Sequence, residues 1–436
     1  MSATSDTILP KLISLAIKNH KNDNLIMARD NYKKILEIKP DLMEALYNLG
    51  IIFGRLGENE NAKKCYEKIL QINPDIADVN NNLGLLFYED GDHNQALIYF
   101  NKAIEIKPNY ANAYNNIGLL HASEGKYEKA INNYCIALEH DHKHKNANKN
   151  LISALNYSDT DKINPIILAN NKLKEINIDF STKNFFETEN LKKLFEKSKK
   201  VLDVIEKNFN FIENSETQSY RRNSINLNCE RHHKVYNSLN IIPASCFNCF
   251  KILIEPKNVL DLIRLFYIFD NFNFPKNNWR KCMVELRDNV PGTYKGFIYC
   301  SSFEEATQIL NELKPFLIKF IKFDIKIKRG CSEFYELYPD FDQINKNEKN
   351  YMNYNKKWKQ VEEDYDSKEN KLERKLVKSN SGMSILDFLI INNWINYAKN
   401  INDVSYKDIC IDFYHSTFIS DKLLNQIEFR KKQFTI

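Results

Sequence analysis

The sequence predicts a multi-domain chain in which an all-α repeat solenoid is followed by an α+β domain and a C-terminal helical extension. Three observations predict it. Pro40, Pro74 and Pro108 recur every 34 residues, as do Gly50, Gly84 and Gly118. That spacing vanishes after about residue 157. Past Ile242, strand-like and helix-like runs alternate in the order strand, helix, strand, strand, helix, strand. The 436 residues and 43% hydrophobic content give room for more than one core.

In the first region, further rows keep the same spacing: Ala28, Ala62, Ala96 and Ala130; Tyr32, Tyr66, Phe100 and Tyr134; Leu15, Leu49, Leu83 and Ile117. A small residue in the first helix of each pair (Ala16, Gly50, Gly84, Gly118) and the alanine of the second let the two helices approach closely. The aromatic row fills the space between units, and proline stops the second helix. One hairpin cannot bury its apolar face alone, so four repeats over residues 9–142 stack, with Lys145 to Tyr157 as a closing helix and His142 in place of the fourth proline.

These rows resemble the tetratricopeptide repeat (TPR) family, which implies a right-handed solenoid with a peptide-binding groove. Asn48, Asn82, Asn116 and Asn150 share one position of the first helix, where Ser14 stands in the first repeat. In TPR arrays that bind extended peptides, such as that of O-GlcNAc transferase, asparagines of this helix line the groove, and these four positions look similar. A side-chain amide carries one acceptor and two donors, so it can pair with a peptide backbone whatever its side chains are. The histidines at 140, 142 and 144 alternate between helices and read as a solvated turn.

Residues 158–222 read as a helical connector, with Leu191, Leu194, Phe195, Val201, Leu202 and Ile205 on one helix face. Residues 223–335 then form the α+β domain. Phe250 to Glu255, Arg280 to Arg287, Tyr294 to Ser301 and Asp324 to Cys331 read as strands, with helices at Asn258 to Phe272 and Phe303 to Phe320. This βαββαβ order is the ferredoxin-like split unit, an antiparallel sheet ordered 4-1-3-2. It places Cys249 beside Cys331, and it also predicts Cys282 beside Cys300. Residues 336–436 are read as a charged linker, dense in Lys, Glu, Asp and Asn from Asn345 to Ser381 and anchored by Trp358, followed by helices at Ile385 to Ala398 and Ile419 to Phe429.

Cys229 and His232, then Cys246 and Cys249, form two pairs of donors, C-x2-H and C-x2-C, a spacing that suits tetrahedral zinc. His233 can substitute for His232, and Cys331 can join or replace a ligand. The all-cysteine set Cys229, Cys246, Cys249 and Cys331 suits an iron-sulfur cluster as well. The alternative is a group of buried free thiols. Elsewhere, Lys295 to Tyr299 resembles the start of the RNP1 motif of RNA recognition motif domains, and Phe303 to Ala306 resembles the segment just after that motif. The resemblance implies base stacking on Phe250, Phe297 and Tyr299. Ile298, Cys300 and Ser302 depart from the motif.

The 62 basic residues nearly balance the 57 acidic ones, which argues against wholesale nucleic-acid binding but leaves room for a local patch. No G-x-G-x-x-G or P-loop glycine pattern occurs, nor any common hydrolase, zinc-protease or kinase signature, so an adaptor that holds a protein or extended peptide is favoured over an enzyme. A metal-dependent modification enzyme that captures substrate through its repeats is the alternative. No run is apolar enough to span a membrane, and nine cysteines behind a start without a secretion signal suggest a reduced, cytoplasmic protein.

Overall fold

A computed structural model describes residues 5–158, 164–176, 186–206, 216–221, 223, 227–287, 290–345, 347–368, 382–409 and 423–434. The start of the helix expected at Ile419, part of the charged stretch (369–381), two residues of the turn expected between Asp288 and Thr293, and the ninth cysteine, Cys410, lie outside the described residues. By its internal contacts the chain divides into an N-terminal unit ending at Asn164 and a C-terminal unit from Pro165.

The N-terminal unit is built of helix pairs. They are α1 (Ser5–Lys21) with α2 (Leu25–Ile38), α3 (Met43–Arg55) with α4 (Asn59–Ile72), α5 (Ala77–Glu89) with α6 (His93–Ile106), and α7 (Ala111–Ser123) with α8 (Tyr127–His140); α9 (Lys145–Ala154) comes after them. The spaced rows are the contact surface of each pair. Ala28, Ala62, Ala96 and Ala130 are wholly buried. A methyl group added at Gly50, Gly84 or Gly118 would lie 2.6, 2.8 or 2.4 Å from the ring of Tyr66, Phe100 or Tyr134, so each aromatic occupies the space that its glycine leaves. α2, α4 and α6 end two residues before Pro40, Pro74 and Pro108. A further row, Gly57, Gly91 and Gly125, turns the chain between paired helices at φ of +76°, +83° and +75°. Leu15 departs from its row: it is exposed, while Leu49, Leu83 and Ile117 are buried.

The C-terminal unit opens with α10 (Pro165–Glu175) and α11 (Thr188–Glu206), whose Leu191, Leu194, Phe195 and Leu202 are buried. β1 (Gln218–Arg221) is a strand in a region that the sequence suggested was helical connector. Its Ser219 and Arg221 alternate inward, a polar pattern that apolar periodicity does not detect. Next come α12 (Cys229–Leu239), β2 (Phe250–Pro256), α13 (Val259–Asn271), β3 (Arg280–Val284), β4 (Tyr294–Cys300), α14 (Phe303–Leu317) and β5 (Phe323–Arg329). Helices α15 (Trp358–Lys368), α16 (Ile385–Asn400) and α17 (Leu424–Phe434) complete the unit.

The five strands form one antiparallel sheet in the order β1-β3-β4-β2-β5. On one face, Ile252, Ile254 and Ile298 are wholly buried, and α13 comes so close to β4 that a methyl group on Gly296 would lie 2.4 Å from Leu265 Cδ2. Side chains 251, 253, 281, 295, 297 and 299 alternate to the other face. Arg221 closes the β1 edge from the core side. Its guanidinium bonds Asp270 of α13 at 2.6 Å and Asp387 of α16 at 3.0 Å, all three side chains being buried. Asp387 also accepts from Ser219 Oγ at 2.6 Å and completes the capping box of α16 with Ser384.

Candidate functional sites: an amide relay and a thiol cluster

In the N-terminal unit, the four predicted asparagines are half-buried on the first helix of successive pairs or on α9. Three of them join a chain of amides that runs from repeat to repeat. Asn150 Nδ2 donates to Asn115 Oδ1 at 2.9 Å, and Asn115 Nδ2 donates to Asn116 Oδ1 at 3.2 Å. Asn116 Nδ2 donates to Asn81 Oδ1 at 2.9 Å, Asn81 Nδ2 to Asn82 Oδ1 at 3.4 Å, and Asn82 Nδ2 to the Tyr47 hydroxyl at 3.3 Å. Asn48 instead donates to the Glu44 carbonyl of its own helix at 2.9 Å. The partners Asn81 and Asn115 escaped the sequence reading, although Tyr47, Asn81 and Asn115 also stand 34 residues apart. A parallel set of bonds flanks this one, with Tyr110 Oη donating to Asp78 at 2.5 Å and His144 Nε2 2.8 Å from Asn112 Oδ1. His144 is therefore engaged between repeats while its Nδ1 caps α9.

In the C-terminal unit, the four predicted cysteine ligands lie in one neighbourhood of the fold, although among the described residues only His233, Cys331 and Glu333 bring three ligand atoms within 4.8 Å of one another. Cys229 opens α12, Cys246 lies in the short 3-10 turn Ala244–Asn248, Cys249 precedes β2, and Cys331 comes after β5, beyond Gly330. Strand pairing brings the last two together, since Gly330 N donates to the Cys249 carbonyl at 2.9 Å. A methyl group on Gly330 would lie 2.4 Å from Cys249 Sγ, so only glycine leaves room for this thiol. Cys246 and Cys331 interact as a buried pair, which raises the pKa of Cys246 and lowers that of Cys331. Cys229 and Cys249 lie within electrostatic reach of Cys331 and of each other; burial raises both, Cys249 to about 12.

His232 does not join this group. Its Nε2 is 2.7 Å from Ser245 Oγ, and burial together with Arg231 lowers its pKa to about 4. The neighbouring His233, one step around α12, takes its place: ring nitrogen, Cys331 Sγ and a Glu333 carboxylate oxygen lie within 4.8 Å of one another. The pairing expected between Cys282 and Cys300 also fails. Cys282 lies opposite Gly296, four residues from Cys300 along β4, so the register of the two strands keeps the thiols apart. Cys300 lies opposite Phe250 instead.

The proposed base-stacking trio is divided by the sheet. Phe297 and Tyr299 share one face, whereas Phe250 packs on the helix face at 5.6 Å from the Phe303 ring, under the Arg329 guanidinium. The period of two puts 250 and 251 on opposite faces, and 251, not 250, aligns with Tyr299. The remaining rings are also occupied. Lys251 Nζ sits 4.9 Å from the centre of Tyr299 and 5.8 Å from that of Phe297, and Lys281 Nζ is 5.1 Å from Phe297.

The comparisons with known proteins concern the first unit. The tetratricopeptide repeat family model matches residues 41–109 and 75–143 in overlapping spans, so this part of the chain is a TPR array. Among solved structures, MamA is 23% identical over 34% of this chain and 81% of its own length, with a TM-score of 0.31. YrrB, titled a TPR protein with an unusual peptide-binding site, is 22% identical over 44% of this chain and 84% of its own, at a TM-score of 0.29. The first TPR of Spaghetti (RPAP3), bound to the HSP90 peptide SRMEEVD, is 21% identical over 26% and 89%, at 0.25. No curated protein matches the chain.

Proposed function

We propose that this chain is a cytoplasmic adaptor whose TPR array holds an extended peptide, joined to a ferredoxin-like domain stapled by zinc. The observation that carries the first half is the row of half-buried amides. Asn82, Asn116 and Asn150 each spend one N–H on the neighbouring repeat, which leaves a second N–H per residue for a peptide carbonyl. The array thus uses the same side chains to set repeat spacing and to offer donors at that spacing. The test is selection of peptide ligands from a random display library on the full chain, followed by Asn48→Ala and Asn82→Ala variants. Asn48 bonds only within its helix, so its variant reports capture with little effect on packing. Weakening of about tenfold is expected in each, with thermal stability unchanged in Asn48→Ala; no enrichment over a scrambled bait, or binding by both variants equal to that of the wild type, would sink the reading.

The strand order, with α13 and α14 as crossovers, supports the ferredoxin-like assignment. For the metal, the supporting fact is the donor set: four thiols from three segments distant in sequence, with His233 and Glu333 at their edge. Sulfur donors suit zinc or an iron-sulfur cluster and not magnesium or calcium. Cys229, Cys246, Cys249 and Cys331 would hold the ion as thiolates, fastening α12 and the turn before β2 to the end of β5. No open coordination position is assigned to catalysis in this reading. Elemental analysis and an absorption spectrum of anaerobically purified protein test it, beside the Cys246→Ala/Cys249→Ala variant. One equivalent of colourless zinc, lost in the variant, is expected; a brown iron-loaded protein would instead favour an enzyme that uses its repeats to capture substrate.

A further inference from the structure

The sheet face away from α13 and α14 carries a charge pattern that the protein's own residues leave unbalanced. Lys251 lies directly opposite Lys328 across β2 and β5 and opposite Tyr299 across β4. In the next row Lys281 lies opposite both Phe297 and Tyr220, and in the one after it Met283 lies opposite Lys295. Like charges directly opposite on antiparallel strands are destabilising. Here they line a cleft of about 360 Å³, together with Arg287 and the carboxylates Glu285 and Glu333.

Five cationic groups therefore face two carboxylates. Glu285 is already engaged, at 2.8 Å from Arg287 and 3.2 Å from Lys295, and those partners hold its pKa down at about 2 against its burial. Glu333 lies beside His233 and Cys331. Lys251, Lys281 and Lys328 have no ion pair among the described residues: Lys281 Nζ reaches Gln218 Oε1 at 3.3 Å, and Lys251 rests on the Tyr299 ring. The floor between them is apolar, formed by Leu253, Met283 and Phe297, which excludes water from one side and strengthens the field of the ammonium groups.

We propose that this cleft binds a small phosphorylated ligand, whose phosphate oxygens are received by Lys251, Lys281 and Lys328. Within the lining of the cleft the cations exceed the carboxylates by three, which favours a multiply charged anion. Lysines converging from three strands act as point charges suited to phosphate, whereas a planar carboxylate is matched by an arginine fork, and the Arg287 fork is taken by Glu285. The volume falls in the range of small-molecule sites. A polynucleotide is disfavoured because the lysines already cover Phe297 and Tyr299, the rings on which bases would stack. This site is independent of the peptide groove, and its test separates it from the thiol cluster.

The experiment is calorimetric titration of the full-length protein, at low salt, with pyrophosphate, ADP and citrate. The variants are Lys251→Gln/Lys328→Gln and, on the far side of the sheet, the exposed Lys314→Gln. Wild type should bind pyrophosphate or ADP at least about tenfold more tightly than citrate, and the double variant should lose at least about tenfold in affinity while Lys314→Gln does not. The ligand-free double variant should melt at the same or a higher temperature, because a repulsion has been removed, so lost binding will not be mistaken for unfolding. The proposal is overturned by no binding at about 1 mM ligand, by equal affinity for citrate, or by equal loss in Lys314→Gln. It is also overturned if the double variant keeps its affinity but loses bound metal, which would mean that these lysines serve only to balance thiolates.

Discussion

The two units make their cores by opposite means. In the N-terminal unit the same contact is made again every 34 residues: a glycine against an aromatic ring, a buried alanine, an amide reaching the repeat before it. Each contact joins near neighbours in the chain, and its loss is confined to one junction. In the C-terminal unit the decisive contacts occur once and close long loops. Arg221 meets Asp387 across 166 residues, and Trp394 Nε1 donates to the Thr217 carbonyl at 2.7 Å across 177. Repetition thus supplies robustness and a periodic surface, whereas unique long-range contacts supply clefts and clusters in which unlike groups are held together.

The largest effect expected is at Asp387. Replacing it by asparagine leaves buried Arg221 with one of its two carboxylate partners, and a single amide oxygen must then serve Arg221, Ser219 and Ser384, which now share both carboxylate oxygens. Breaking one side of a buried ion pair costs about 3–5 kcal/mol, enough to unfold a marginal domain. The expected outcome is two separated melting transitions, with the one from the repeat array unmoved; a parallel shift of both would mean that the units do not hold their cores separately. The pH dependence has a definite sign. Burial opposes ionisation of Asp387, but the Arg221 charge and the bonds from Ser219 and Ser384 prevail and lower its pKa below 3.8. Its contribution is therefore fully present above the unfolded value near 3.8 and is lost as pH falls through the lower folded value. Acid unfolding of the wild type should steepen there, and Asp387→Asn should flatten it.

The same contrast decides what could be read in the sequence. The rows of the array are self-announcing, because a spacing seen three or four times identifies both the contact and its role. Strands β2 to β5 were legible from their alternation, and the meeting of Cys249 with Cys331 followed from strand order alone. The failures depend on register or helix phase. Whether Phe250 or Lys251 shares a face with Tyr299 is a matter of one residue, and His232 and His233 differ by one step around α12. β1 was missed because its inward residues are Ser219 and Arg221, whose partners Asp270 and Asp387 lie far along the chain. The lysines of the cleft occupy alternate strand positions, which read locally as a solvated face; only the pairing of Lys251 with Lys328 makes them a site.

A smaller effect, confined to one junction of the array, is expected from Gly118→Ala. Alanine favours the helix by itself, being about 1 kcal/mol better than glycine in a helix interior. Here, however, the new methyl group would sit 2.4 Å from the Tyr134 ring, and that ring is buried with little room to yield. Overpacking of a dense core costs about 1–3 kcal/mol, so a net destabilisation of up to about 2 kcal/mol is expected after the helical gain. Hydrogen exchange should show faster opening in α7 and α8 and unchanged protection in α1 to α4. Adding Tyr134→Leu should recover part of the loss, because the two residues share one volume and their effects cannot add. Additive costs, or loss of protection over the whole array at once, would mean that the repeats melt as a single block and that their periodic packing confers no local containment.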